Sequence, residues 1–178
     1  MAIHTPITAP DFPEANSAFT HTPITIGFTT LMRDLADYIE AERDLEHCGS
    51  WDPACDAWIR DAERARARVL DAITALRAAP TRRREDLPLR RYAGLAQMLI
   101  ESDSPERVQT LLALPDRFPH AFRCAGNSTV ARRVDLMVAS FRQHLNALAR
   151  LPDFAEMIEA DYAVIEPDAS NLMLAPAA

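Results

Sequence analysis

Lysine is absent from this chain: all 19 of its basic residues are arginine. Arg-only, Ala-rich usage points to a GC-rich genome of the bacterial kind, and it means that each basic site can make planar, forked contacts. Glycine is scarce, with four residues against 13 prolines. So few glycines exclude a β-sandwich or a sheet built on glycine turns. Three cysteines, an odd number, argue against a secreted disulfide framework. The Met-Ala-Ile-His-Thr-Pro start has neither the basic residues nor the apolar core of a signal peptide. No apolar run approaches the length that spans a bilayer. These absences predict a cytoplasmic protein with no membrane role. The signatures of common chemistry are missing too. There is no CxxC pair, Walker loop, dinucleotide fingerprint, nucleophile elbow, kinase signature, His-Glu-x-x-His or Glu-x-x-His.

What is present is helix-forming. Apolar residues make up 48% and charged residues 25% of 178 positions, enough for one domain with a real core. The formal net charge of −7 disfavours non-specific nucleic-acid binding. Ala, Leu, Arg and Glu dominate, and all four favour helix. The patterning predicts an all-α bundle of four to six helices, with an extended arm over 1–25, a single helical domain over 26–165 and a flexible tail over 166–178.

The arm is Thr/Pro-rich and repeats His-Thr-Pro-Ile-Thr at His4–Thr8 and His21–Thr25. Each X-Pro step favours extended backbone in the residue before it. A first helix is expected from Phe28 to His47, on the stripe Phe28, Leu31, Met32, Leu35, Tyr38, Ile39 and Leu45. A second should start at Asp52 as N-cap with Pro53 in its first position, and stop before Pro80. Its seam, Trp58, Ala62, Ala65, Val69, Ala72 and Leu76, has the 4-3 spacing of packed helices. A third runs over about Leu87–Glu101. A short fourth is capped by Ser104 and ended by Pro115. Residues 115–127 read as irregular, anchored by Phe118 and Phe122. A fifth helix begins after Asn127 or Ser128 on a second 4-3 seam, Val130, Val134, Met137, Phe141, His144, Leu148 and Leu151. A short sixth follows Pro152, through about Tyr162. The connection between the first two helices permits only an antiparallel hairpin. The two long seams fit either an internal core or a homodimer.

Three constellations have the residue types that binding chemistry needs. His47, Cys48, Cys55, His120 and Cys124 offer zinc-type ligands, provided that the irregular segment folds over the hairpin. Cys48 and Cys55 alone would pair on oxidation. Asn127, Ser128 and Thr129 open a helix with Arg132 and Arg133 one turn in, which suits an anion. Arg82, Arg83, Arg84, Arg90 and Arg91 form a basic patch on an acidic chain, suited to an acidic partner or a nucleic acid. For each there is a plainer account: small core cysteines, ordinary caps, and a solvated connection. The carboxylates on the first helix lack the histidine partners of a di-iron site.

The sequence therefore predicts a non-enzymatic module that needs no cofactor and acts by packing against a protein partner or itself, as a homo-oligomer. An anion-, nucleotide- or nucleic-acid-responsive regulator is the alternative, and a Cys/His metal or redox protein the next.

Overall fold

A computed structural model describes residues 21–46, 48, 53–152 and 154. Within them the chain forms helices α1 (Pro23–Leu45), α2 (Cys55–Ala78), α3 (Asp86–Ile100), α4 (Pro105–Arg117), α5 (Pro119–Phe122) and α6 (Thr129–Leu148). No strand occurs among the described residues. The all-α bundle is what the apolar periodicity required. His4–Thr8, the proposed N-cap Asp52, the tail over 166–178 and most of the proposed last helix lie outside the described residues.

The start of α1 corrects the proposed arm, because residues 23–25 are already helical. Pro23 does hold Thr22 extended, at φ −87° and ψ 160°, but that is the conformation an N-cap needs. Thr22 Oγ1 accepts from the Thr25 N–H at 3.1 Å. Thr25 Oγ1 accepts from the Thr22 N–H at 2.8 Å, closing a reciprocal capping box. Proline in the first position loses only an N–H that would have no helical partner. The second copy of the pentapeptide is thus a helix start, and its Ile24 is fully buried.

α1 and α2 form the antiparallel hairpin. A Cβ placed on Gly27, near the start of α1, would lie 3.7 Å from Leu76, near the end of α2. The small residues Ala62 and Ala65 are buried on the α2 seam with Val69, Ile73 and Leu76. The seam is therefore spent inside the molecule. α3 runs back along α2, with Arg66 reaching the Ile100 carbonyl at 3.4 Å and Arg90 reaching the Arg77 carbonyl. α6 runs parallel to α1, since Phe28 meets Phe141 at 4.7 Å and His144 and Ala147 share a groove with Ile39 and Arg43. Its buried stripe is Ala131, Val134, Val138, Phe141, Leu145 and Leu148. Met137 and His144, assigned to the seam from spacing, flank it half-buried. Phe28, Leu31, Leu35, Leu89, Leu99 and Phe141 meet in one core, each burial contributing about 1.5–3 kcal/mol.

Two expectations about the middle of the chain fail. Pro115 does not end α4; it lies buried inside it, and the helix continues to Arg117. Proline removes one backbone bond, and burial of its ring together with the Phe118 N–H bond to Leu114 O at 2.9 Å keeps the turn intact. Residues 119–122 then form α5. Of the two proposed anchors, Phe122 packs on Tyr92 at 5.1 Å, while Phe118 is 42% exposed.

One buried carboxylate ties these pieces together. Asp86, 1% exposed, accepts from Thr22 Oγ1 at 2.7 Å and from the Arg82 and Arg83 N–H groups at 3.0 and 3.1 Å. It locks the N-terminus of α1 to the α2–α3 connection.

Candidate functional site: a polar-rimmed cleft on α6

α6 presents one turn-by-turn row beside its core stripe: Asp135, Ala139, Arg142 and Asn146, with Gln143 next to them. The 4-3-4 spacing puts these residues on one face. α3, α4 and α5 leave that face uncovered, and a cleft of about 610 Å³ results. Tyr92, Phe122, Pro115, Val138 and Ala139 supply its apolar surface; Arg123, Asp135, Arg142, Gln143 and Asn146 supply the polar one.

The aromatic part is rigid. Tyr92 stands edge-on to both Phe122 and Phe141, at 5.1 and 6.3 Å. Burial pushes the Tyr92 phenol above its ordinary value, so it stays protonated at neutral pH. On the rim, Arg142 grips Asp116 of α4 with both guanidinium ends, Nη1 to Oδ1 at 2.9 Å and Nη2 to Oδ2. That hydrogen bond holds the Asp116 carboxyl below its usual range and raises Arg142. The pair is a forked brace between α4 and α6.

Asp135 accepts from the Cys124 N–H at 3.1 Å, fixing the loop that enters α6. The Cys124 thiol is pushed up to about 12, first by burial and then by the charges of Asp135 and Glu85. A neutral thiol is a poor nucleophile. The cleft thus joins an aromatic floor to amide, carboxylate and guanidinium groups.

The constellations proposed from sequence fare unevenly. His47 lies outside the described residues. Cys48 and Cys55 are joined to one another as a disulfide. Cys124 contacts the Glu85 carbonyl next to Asp86, at the opposite end of α1. The 23 residues of α1 separate those ends by about 34 Å. His120 is exposed on α5. The proposed Cys/His metal set therefore does not assemble, and no three His, Cys, Asp or Glu side chains converge among the described residues.

At the start of α6, Ser128 caps the helix by accepting from the Ala131 N–H at 3.0 Å. Arg132 turns back to the Asn127 carbonyl at 3.3 Å. Thr129, Arg132 and Arg133 line only a shallow hollow beside Leu136.

The basic patch is divided. Arg90 bonds Thr81 Oγ1 at 2.8 Å and the Arg77 carbonyl, neutralising the C-terminal end of α2. Arg91 points the other way, to the Ala121 carbonyl of α5. Arg82 and Arg83 serve Asp86 through their backbones, and Arg84 is exposed.

Sequence patterning singles out none of the cleft residues Asp135, Arg142, Gln143 and Asn146, nor Asp116 beside them. The signal available was the polar row next to the apolar stripe on α6. No helix of the described residues is long and apolar enough to cross a membrane. Compared with protein families, with characterised proteins and with solved structures, the chain matches none.

Proposed function

We propose that this chain is a non-enzymatic helical module of the cytoplasm that binds a protein partner, and that the cleft on α6 receives an extended segment of that partner. The observation behind this reading is the make-up of the cleft: a rigid aromatic floor beside the exposed amides of Gln143 and Asn146 and the guanidinium groups of Arg123 and Arg142. An amide side chain pairs with both the N–H and the C=O of an extended main chain. The floor takes one apolar side chain. Arg123, exposed and without an ion pair among the described residues, takes a carboxylate. The cleft volume of about 610 Å³ falls within the roughly 300–1,000 Å³ of ordinary ligand sites. The heptad-like seams that suggested a homodimer do not support self-association, because Ala62, Ala65, Val69, Val134 and Phe141 are buried in the chain's own core.

Selection from a displayed random-peptide library tests the reading. Wild-type protein is expected to enrich peptides that combine an apolar and an acidic residue. Ala139→Trp, which fills the cleft from an exposed helical position, should weaken them at least about tenfold, or ~1.4 kcal/mol. Leu136→Ser, outside the cleft, should leave them unchanged. Failure to enrich any peptide, or undiminished binding by Ala139→Trp, would refute the proposal.

A further inference from the structure

We infer that Cys48 and Cys55 form a thiol–disulfide exchange site that clasps the tip of the α1–α2 hairpin and reacts with small disulfides of the glutathione class. The two cysteines are bonded across seven residues of sequence, with Cα atoms 5.8 Å apart, inside the range that a disulfide spans without moving backbone. Both are half-buried, so small thiols reach them. Cys48 closes the last turn of α1 through its N–H bond to Leu45 O at 3.0 Å. Cys55 is the first residue of α2, where the helix dipole and free N–H groups favour negative charge on sulfur.

Two further features give the bond its place. α2 starts without a side-chain cap, since Ala54 stands at its N-cap position; the covalent link holds that first turn in place of a cap. The third cysteine is kept out of the exchange. Cys124 lies at the other end of α1, too far to join the pair, and burial keeps its thiol neutral. An odd cysteine count therefore resolves into one exchanging pair and one inert thiol.

The chemistry balances in two steps. The Cys55 thiolate attacks one sulfur of the small disulfide, forming a mixed disulfide and expelling one small thiolate. The Cys48 thiolate then attacks the Cys55 sulfur, closing the protein disulfide and expelling the second. The protein gives up two electrons and two protons, and the small disulfide becomes two thiols. Excess small thiol reverses both steps.

The full chain, equilibrated natively in mixtures of reduced and oxidised glutathione, quenched in acid and alkylated, reads the site by mass. Cys48 and Cys55 should gain and lose labels together in one two-electron transition, with Cys124 unlabelled throughout until the protein is denatured. The oxidised form should melt roughly 5–10 °C higher than the reduced one. Cys48→Ser and Cys55→Ser should each abolish both the transition and the melting difference, and Cys124→Ser should preserve them. Free Cys48 and Cys55 at every glutathione ratio, a disulfide that includes Cys124, or a pair that stays closed under excess reduced glutathione would each overturn the inference.

Discussion

Asp86 shows how much one residue decides. Its carboxylate is the common acceptor for the Thr22 hydroxyl and for two backbone N–H groups before α3. Asp86→Ala removes the shared acceptor of the Thr22 hydroxyl and of two backbone N–H groups, and leaving buried donors unpaired costs more than a made bond contributes. Urea unfolding should show a loss of about 2–4 kcal/mol, with Asp86→Asn losing less because one acceptor oxygen remains. Cys124 decides the alkaline limit. Its thiol ionises near the model-compound value of 9.0 when unfolded and at about 12 when folded. A raised folded value means that its contribution is complete below about pH 9 and is lost as pH climbs toward 12. Tyr92, also raised by burial, acts in the same direction. Stability followed from pH 8 to 12 should therefore fall, and the fall should be shallower in Cys124→Ala. An equal slope in the variant would remove the thiol from the account.

At the level of elements, small residues set the distance between helices. Ala62 and Ala65 are buried where α2 lies along α1. Ala65→Leu adds side chain where there is no room, and should cost about 1–3 kcal/mol in chemical denaturation while leaving the helical circular-dichroism signal in place. The sequence made most of this legible. The stripe of α1, the seam of α2 and the apolar face of α3 follow from 3.6-residue periodicity, which depends only on each helix's own geometry. Errors arose where proline has two local meanings. Thr22-Pro23 and Ser104-Pro105 share one form, a hydroxyl residue before proline, and both start helices, but only Thr22 caps through its side chain; Ser104 holds the N-cap position without that bond. Pro115 looks like a stop in the sequence because spacing does not show that its ring is buried, and burial keeps α4 going to Arg117. On α6 the 4-3 seam and the true core share Val134 and Phe141, so spacing alone does not choose between Met137 and Val138, and it is Val138 that is buried.

For the molecule as a whole, the site was the least legible part. A cleft is made by what three other elements fail to cover. Arg142 and Asp116, 26 residues apart in sequence, meet only because α4 folds back beside α6. Conversely, the cysteine and arginine constellations looked like sites because their members are close in sequence. The length of α1 separates the cysteines, and Arg90 and Arg91, neighbours on α3, turn to α2 and to α5 respectively. Net charge of −7 works against long-range attraction of acidic segments, so the proposed recognition by Arg123 would be a short-range, geometric event. Peptide binding should therefore depend on cleft shape, as Ala139→Trp reports, more than on ionic strength.

The central claim is that partners meet this molecule at the α6 cleft. The most direct measurement is to titrate a library-selected peptide into isotope-labelled protein and follow the backbone amide resonances by nuclear magnetic resonance. Shifts concentrated at Phe122, Arg123, Ala139, Gln143 and Asn146 are the predicted result. Shifts that spare those residues and gather on the outer faces of α1 and α2 would contradict it.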